Sequence, residues 1–432
     1  MVILTFSIKG FAQVNDAYKC NTMLLDQLNE ERYPGWANQR KQFEKELQQQ
    51  LLKIKSTGLK RTGASTILKI PVVVHIIHNE ITGAIQNSNI PDQQVLDQIA
   101  VLNEDYRRTN ADAINTPFLY SGVASDIEIE FCLANRNPLG QLTTGITRTY
   151  DSKSPFVYPT DDAYIKSLAY WPSDNYLNLW VCRISYGTSK LLGYAQFPSN
   201  SGLSGLATDE GPATTDGVVI HYSVFGRNVP TDTHYNLGRT ATHEIGHWLG
   251  LLHTWGDGDC TVDDNCTDTP NCDGQYFSDK STCIAPLQCP NTRRMIENYM
   301  DYSDDACMNI FTVDQKSRMQ SSISLSPRRA NLQNSNGCCD TCKVLAIPVY
   351  TELKAFPNPA QGHVTLDIHF NNDTNIDVKI YNYLGKNLFD KENIYMKDFT
   401  ELIDVSGWSN GMYIAVVRAN GEKYIQRIII LN

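Results

Sequence analysis

Three observations divide this 432-residue sequence into an α/β (α+β) unit and a small all-β sandwich. Before residue 240, apolar strand-like runs alternate with helix-period segments, the pattern of a sheet flanked by helices. After residue 253 the chain turns loop-rich and cysteine-rich. From Leu353 onward, short β segments follow one another between Gly/Asn/Asp turns, which predicts a separate all-β domain. The length, well beyond roughly 100–200 residues per domain, agrees with several units.

Taken in order, the start MVILTFSIKGFAQ carries an apolar run and a small-x-small site at Gly10-Phe11-Ala12. Residues 1–12 are expected to be part of a secretory signal. A basic n-region is missing and Lys9 interrupts the run, as a start placed too late in the chain would produce. Residues 13–61 are polar and helix-prone; Leu47, Leu51 and Ile54 recur at helical spacing between Gln39 and Lys55. The basic Lys60-Arg61 follows, so this stretch is expected to be a removable pro-segment. Ile67 to Ile77 reads as a buried strand. Pro91 to Tyr106 reads as a helix with Val95, Ile99 and Leu102 on one face. Ile127 to Leu133 alternates as a strand with one wet face, and Tyr176–Ile184, Leu191–Phe197 and Val218–Tyr222 are further strands. The main unit is assigned to 62–340, a linker to 341–352 and the β domain to 353–432. In the last, Val364–Phe370, Val378–Tyr381, Phe399–Leu402, Met412–Arg418 and Ile425–Leu431 are the expected strands.

Hydrophobic residues make up 41%, enough to build a core, and the net charge is −10. A nucleic-acid partner is therefore not expected, because phosphate binding needs a Lys/Arg surplus. No run of 18 apolar residues predicts a transmembrane helix. Of twelve cysteines, six are Cys260, Cys266, Cys272, Cys283, Cys289 and Cys307, and three lie in Cys338-Cys339-Asp340-Thr341-Cys342. Such density in loop-like sequence predicts disulfides and an oxidising compartment. The competing reading, a thiolate zinc site, lacks paired C-x-x-C knuckles in the 260–307 loop.

The chemistry lies in Thr242 to His253, THEIGHWLGLLH. His243 and His247 are four apart and share one helix face, so both imidazoles can reach one Zn2+. Glu244 is placed to act as general base on a water in the open position. Gly250 lets the chain turn sharply and return His253 as third ligand. Three neutral nitrogens plus water make an open, catalytic zinc site rather than a closed structural one. The extended motif fixes five positions over eleven residues and is the one found in metzincins, which also need a downstream Met-turn. Asn298-Tyr299-Met300-Asp301-Tyr302 supplies it, with Met300 as an apolar floor and Tyr302 as a donor to the tetrahedral oxyanion. The fold expected for this unit is thus a metzincin-like zincin catalytic domain.

HEIGHWLGLLHTWG at 243–256, Asp268-Thr269-Pro270, NYMDYSDDACMN at 298–309, GYAQFP at 193–198 and DGVVIHY at 216–222 resemble the pappalysin family, ulilysin-like members especially. The resemblance covers about residues 65–335. It implies the disulfides Cys260–Cys289 and Cys283–Cys307, with Cys266–Cys272 as an additional pairing. Cys132 and Cys182, on expected strands, either pair or stay buried thiols. Structural Ca2+ is implied at Asp264, the Cys266 carbonyl and Thr269, although Cys266 stands where the family usually has an aliphatic residue. Asp305 matches an acidic pocket residue that would favour Arg or Lys at P1′, the residue after the scissile bond. Cys20 in the pro-segment would occupy the open zinc position and keep the zymogen inactive. The C-terminal unit resembles a type IX secretion sorting domain, opened by Phe356-Pro357-Asn358-Pro359 and closed near Asn410-Gly411-Met412-Tyr413.

The resulting expectation is a secreted or surface-attached zinc endopeptidase, monomeric, acting on proteins or peptides and exported by type IX secretion machinery. A non-catalytic surface adhesin on the same fold, or a zinc hydrolase of non-protein amides, are the alternatives.

Overall fold

The computed structural model describes residues 17–32, 35–57, 67–198, 213–227, 229, 232–277, 282–338, 350–419 and 422–432. The signal-like residues 1–12, Lys60-Arg61 and 339–342 lie outside these. Two compact units result, Met1–Pro138 with Gly145–Cys338, and Cys339–Asn432 with Leu139–Thr144.

The first unit is built on a mixed sheet of β1 (Ala17–Cys20), β2 (Leu68–His78), β3 (Ile129–Leu133), β4 (Ile146–Tyr150), β5 (Phe156–Tyr158), β6 (Leu177–Cys182), β7 (Ile184–Tyr186), β8 (Ser189–Ala195) and β9 (Val218–His221). The order is β3-β2-β6-β9-β8-β7-β5, with β4 on β2 and β1 on β8. The pairs β2–β6 and β6–β9 are parallel, and their apolar runs are buried on both faces, as parallel strands require. β8 turns antiparallel to β9, and β1 lies parallel along it.

The helices are α1 (Thr22–Arg32), α2 (Trp36–Thr57), α3 (Asp92–Tyr106), α4 (Phe118–Ser121), α5 (Asp162–Leu168), α6 (Arg239–Trp248), α7 (Val313–Leu325) and α8 (Pro327–Asn331). α3 buries Val95, Ile99, Val101 and Leu102, the expected face. α6 packs on β8, β9 and α3. α7 lies in sequence that reads as loop. Its buried face includes Gln315, Arg318, Ser321 and Ser322, so apolar periodicity is too weak to show. The readable signal is the capping box, in which Gln315 N donates to Thr312 Oγ1 (3.2 Å) and Thr312 N to Gln315 Oε1 (3.0 Å).

Asp216, just before β9, ties the end of α6 to α8. Its carboxylate accepts two bonds from the Arg329 guanidinium (2.7 and 2.8 Å) and one from Trp248 Nε1 (2.9 Å). Arg329 Nε also donates to the Trp248 carbonyl, and its guanidinium stacks 4.3 Å over the Trp248 ring.

Disulfides join Cys260–Cys289 and Cys283–Cys307, the pairings the family resemblance implies. Cys132 pairs with neither of its expected alternatives: it bonds Cys338, tying β3 to the end of this unit. Cys182 is a buried thiol inside the sheet core. Cys266 and Cys272 are also free, so the additional pairing does not form. A short hairpin, β10 (Leu287–Gln288) and β11 (Thr292–Arg293), follows the Cys283 segment.

The second unit is all β: β12 (Tyr350–Gln361), β13 (His363–Asn382), β14 (Asn387–Asp404), β15 (Gly411–Ala419) and β16 (Glu422–Ile430). Their order is β12-β16-β15-β13-β14, and β12 also pairs with β13, so the sheet wraps around one apolar core. Two expected segments, 364–370 and 378–381, are one long strand with register shifts. The opening motif fastens the first strand to the last: Asn358 Nδ2 donates to the Arg427 carbonyl, and Ile429 N to Asn358 Oδ1 (both 2.8 Å).

Asp216→Ala strands the Arg329 guanidinium in the interior, and a loss of about 3–5 kcal/mol in chemical denaturation is expected. Burial raises the Asp216 pKa, but Arg329 and Arg328 outweigh it and hold the carboxyl below its ordinary value. The folded-state pKa is thus depressed, so this stabilisation is present above about pH 4 and fades as pH falls through the folded value. Denaturation midpoints measured between pH 3 and 6 should lose that acid dependence in Asp216→Asn.

Candidate metal centre and specificity pocket

α6 ends because of Gly250. The Gly250 N–H donates to the His247 carbonyl (2.8 Å) and Leu251 N–H to the Gly246 carbonyl (2.9 Å), a Schellman closure. Gly250 has φ +96°, and a Cβ there would lie 2.6 Å from Ser322 Oγ. The turn sends the chain back so that His253 faces the helix.

His247 Nε2 lies 3.1 Å from His243 Nε2 and 3.0 Å from His253 Nε2. In a tetrahedral site with Zn–N distances near 2.0–2.1 Å, nitrogens stand about 3.3 Å apart. Each Nδ1–H is already committed: His243 to the Tyr299 carbonyl (2.7 Å), His247 to the Leu251 carbonyl (2.8 Å), His253 to Asp257 Oδ1 (2.6 Å). That fixes the tautomer and leaves three lone pairs converging. The Cys20 thiol joins them, all four donor atoms lying within 4.8 Å of one another. Three imidazoles and a sulfur are a donor set that zinc fits.

Below the histidines, a Cβ on Gly246 would come 2.4 Å from Met300 Sδ, so the Met-turn floor presses directly on the motif helix. Tyr302 stacks edge-on to His253 at 4.9 Å and donates its hydroxyl to the Cys20 carbonyl (3.1 Å). Glu244 Oε2 accepts from Thr22 Oγ1 (2.8 Å) and from Cys20 Sγ (3.4 Å); Oε1 is buried without a partner. Burial pushes the Glu244 carboxyl up to about 8.

Asp305 is buried, 62 residues after His243 in sequence yet beside the start of α6. Its Oδ2 accepts from Leu237 N (2.9 Å) and Arg239 N (3.2 Å), while Oδ1 has no hydrogen-bond partner. Lys19 enters this space. Its ammonium donates to the Ser303 carbonyl (2.5 Å) and sits 4.9 Å over the Tyr235 ring. Burial lowers its pKa to about 8, opposed by Asp305, Asp301 and Asp304.

In the expected calcium loop, Thr269 Oγ1 lies 2.7 Å from both Asp264 Oδ1 and the Cys266 carbonyl, and Cys266 N donates to Asp264 Oδ1 (3.0 Å). Asp264 Oδ2 is buried and unpartnered. Burial raises the carboxyl to about 8.

Sequence reading missed Asp257, Lys19, Thr22 and the pair Glu44–Arg318. Asp257 follows His253 by four residues, the one local signal for a histidine-orienting carboxylate. Arg318 Nε donates to the Gly250 carbonyl (2.8 Å), and its guanidinium is bidentate to Glu44 of α2 (both 2.7 Å). Nothing local in the sequence links those positions.

Residues 160–324 match the family described as Pregnancy-associated plasma protein-A, and 354–431 match the secretion system C-terminal sorting domain. An extracellular metalloprotease of Verticillium alfalfae is 32% identical over 263 residues, 60% of this chain and 76% of that protein. The chain belongs to the pappalysin family. It is a metalloendopeptidase, secreted or held at the cell surface, and its family implies a catalytic zinc. The sorting domain implies export by a type IX secretion system. No helix among the described residues is long and apolar enough to cross a membrane. Among solved structures, a Tannerella forsythia promirolysin mutant has TM-score 0.58 and 39% identity over 72% of this chain and 95% of that one. Mature mirolysin in complex with a cleaved peptide has TM-score 0.54 and 43% identity, covering 63% of this pappalysin and 97% of that chain.

Gly250→Ala must adopt a left-handed backbone and meet Ser322, costing about 1–2 kcal/mol from the backbone alone. The expected result is a lowered denaturation midpoint together with weaker zinc retention in dialysis, since His253 is positioned by that turn.

Proposed function

We propose that this pappalysin hydrolyses peptide bonds at a zinc held by His243, His247 and His253, with Glu244 as general base, and that it is made as a zymogen. The convergence of three Nε2 atoms whose Nδ1–H groups are all bonded elsewhere carries this reading. When bound, zinc supplies Lewis acidity, lowering the pKa of a water and polarising a carbonyl. Glu244, next to that position and buried, accepts the water's proton and passes it toward the departing amine. Tyr302 directs its hydroxyl at the developing oxyanion; its bond to the Cys20 carbonyl places it against a peptide oxygen already. Met300 supports the site from below.

The segment 13–61 acts as the latency device. Cys20 Sγ fills the fourth donor position, and β1 lies in the cleft along β8. Lys19 occupies the pocket of Asp305, as a basic P1′ side chain of a substrate would. A solved mirolysin holds a cleaved peptide, in keeping with peptide substrates here. Asp264, the Cys266 carbonyl and Thr269 form a structural calcium site; the unpartnered Asp264 Oδ2 favours a cation there.

Glu244→Ala should lower cleavage of a quenched peptide by about 10³-fold or more while zinc content is retained. Cleavage undiminished in that variant would sink the mechanism. Cys20→Ala should be active without processing, and unchanged latency of the full chain would remove the thiol's role. Asp305→Asn should flatten the preference for Arg or Lys at P1′ by roughly tenfold in cleavage-site profiling.

A further inference from the structure

β1 lies in the cleft as a strand, so its successive side chains leave on opposite sides. Its register along β8 is fixed: Cys20 opposes Gly193, Tyr18 opposes Leu191 and Ala17 opposes Lys190. Cys20 stands at Glu244, so each earlier residue is one step further from the reacting centre. Lys19 turns toward Ser303, Tyr235 and Asp305. Tyr18 turns the other way. Its ring meets Tyr186, at the end of β7, edge to face at 5.1 Å and 83°. Tyr186 is held from behind by Tyr158, 6.4 Å away, which in turn packs at 4.4 Å against the buried Tyr194. Leu191 and Ile184 belong to the same apolar cluster, and Tyr18 and Tyr186 are half-buried against it.

We propose that Tyr186 forms the wall of an aromatic subsite that takes a large apolar or aromatic side chain at P2′. The proposal rests on reading the Asp305 pocket as the P1′ site. A substrate whose basic side chain fills that pocket places its next residue, moving away from Glu244 along β8, where Tyr18 lies. This holds whichever way the chain runs along the strand, because the step is counted from the reacting centre. The chemistry suits an aromatic: an edge-to-face partner on a rigid aromatic stack, backed by aliphatic side chains. A carboxylate at P2′ would be desolvated there with no cation among these contacts.

The test uses enzyme matured from the full chain and quenched peptides with Lys at P1′ and Tyr, Leu, Ala or Asp at P2′. Tyr and Leu are expected to exceed Ala by roughly tenfold in kcat/KM, with Asp lowest. Tyr186→Ser should compress that spread to about twofold, and Tyr186→Phe should keep it. Both variants should still discriminate Lys from Ala at P1′, which separates loss of the subsite from loss of folding. A flat wild-type P2′ profile with the basic P1′ preference intact, or an unchanged profile in Tyr186→Ser, overturns the proposal. A wild-type enzyme without the basic P1′ preference overturns the reading of the Asp305 pocket instead.

Discussion

The turn at Gly250 is the constraint on which the centre depends. A helix continued through Leu251 would carry His253 away from His243 and His247. The Schellman closure stops it at two carbonyls, Gly246 and His247, and one of these belongs to a histidine of the site. The next carbonyls are used as well. Leu251 O takes the His247 Nδ1–H, and Gly250 O takes Arg318 Nε. The turn therefore aims the third imidazole, fixes the tautomer of the second, and anchors to α7.

That anchoring connects latency to architecture. Arg318 is buried, and its bidentate carboxylate comes from Glu44 on α2. Phe43, Leu47 and Leu51 of the same helix bury themselves with Leu325 of α7. The segment before residue 61 thus does more than place Cys20 and Lys19 in the cleft. It covers the α7 face next to the motif turn with one apolar stripe and one ion pair. The polar inner face of α7, which hides that helix from periodicity, is the face those contacts use.

The motif helix is also braced at its far side. Asp216 binds Trp248 and Arg329 at once, so strand β9, the end of α6 and α8 meet at a single buried carboxylate. Met300 pushes on Gly246 from beneath. These contacts come from residues up to 113 apart in sequence, and together they leave the histidines little freedom to drift before metal enters.

The sequence by itself determined the ligand set, the general base, the turn glycine and the Met-turn, because each is encoded in contiguous residues whose spacing has one geometric meaning. It also determined the strands that are apolar on both faces and the helix at 92–106, whose periodicity is local. Tertiary structure alone decided the rest. The partner of Cys132 was Cys338 rather than Cys182, since pairing depends on which Cα atoms come within disulfide reach and not on which strands carry cysteines. Thr22, Lys19 and Glu44 found Glu244, the acidic pocket and Arg318 only once the early segment lay across the folded unit. Contacts between residues hundreds of positions apart leave no periodic trace, and these are the contacts that turn a zinc-binding helix into a guarded active site.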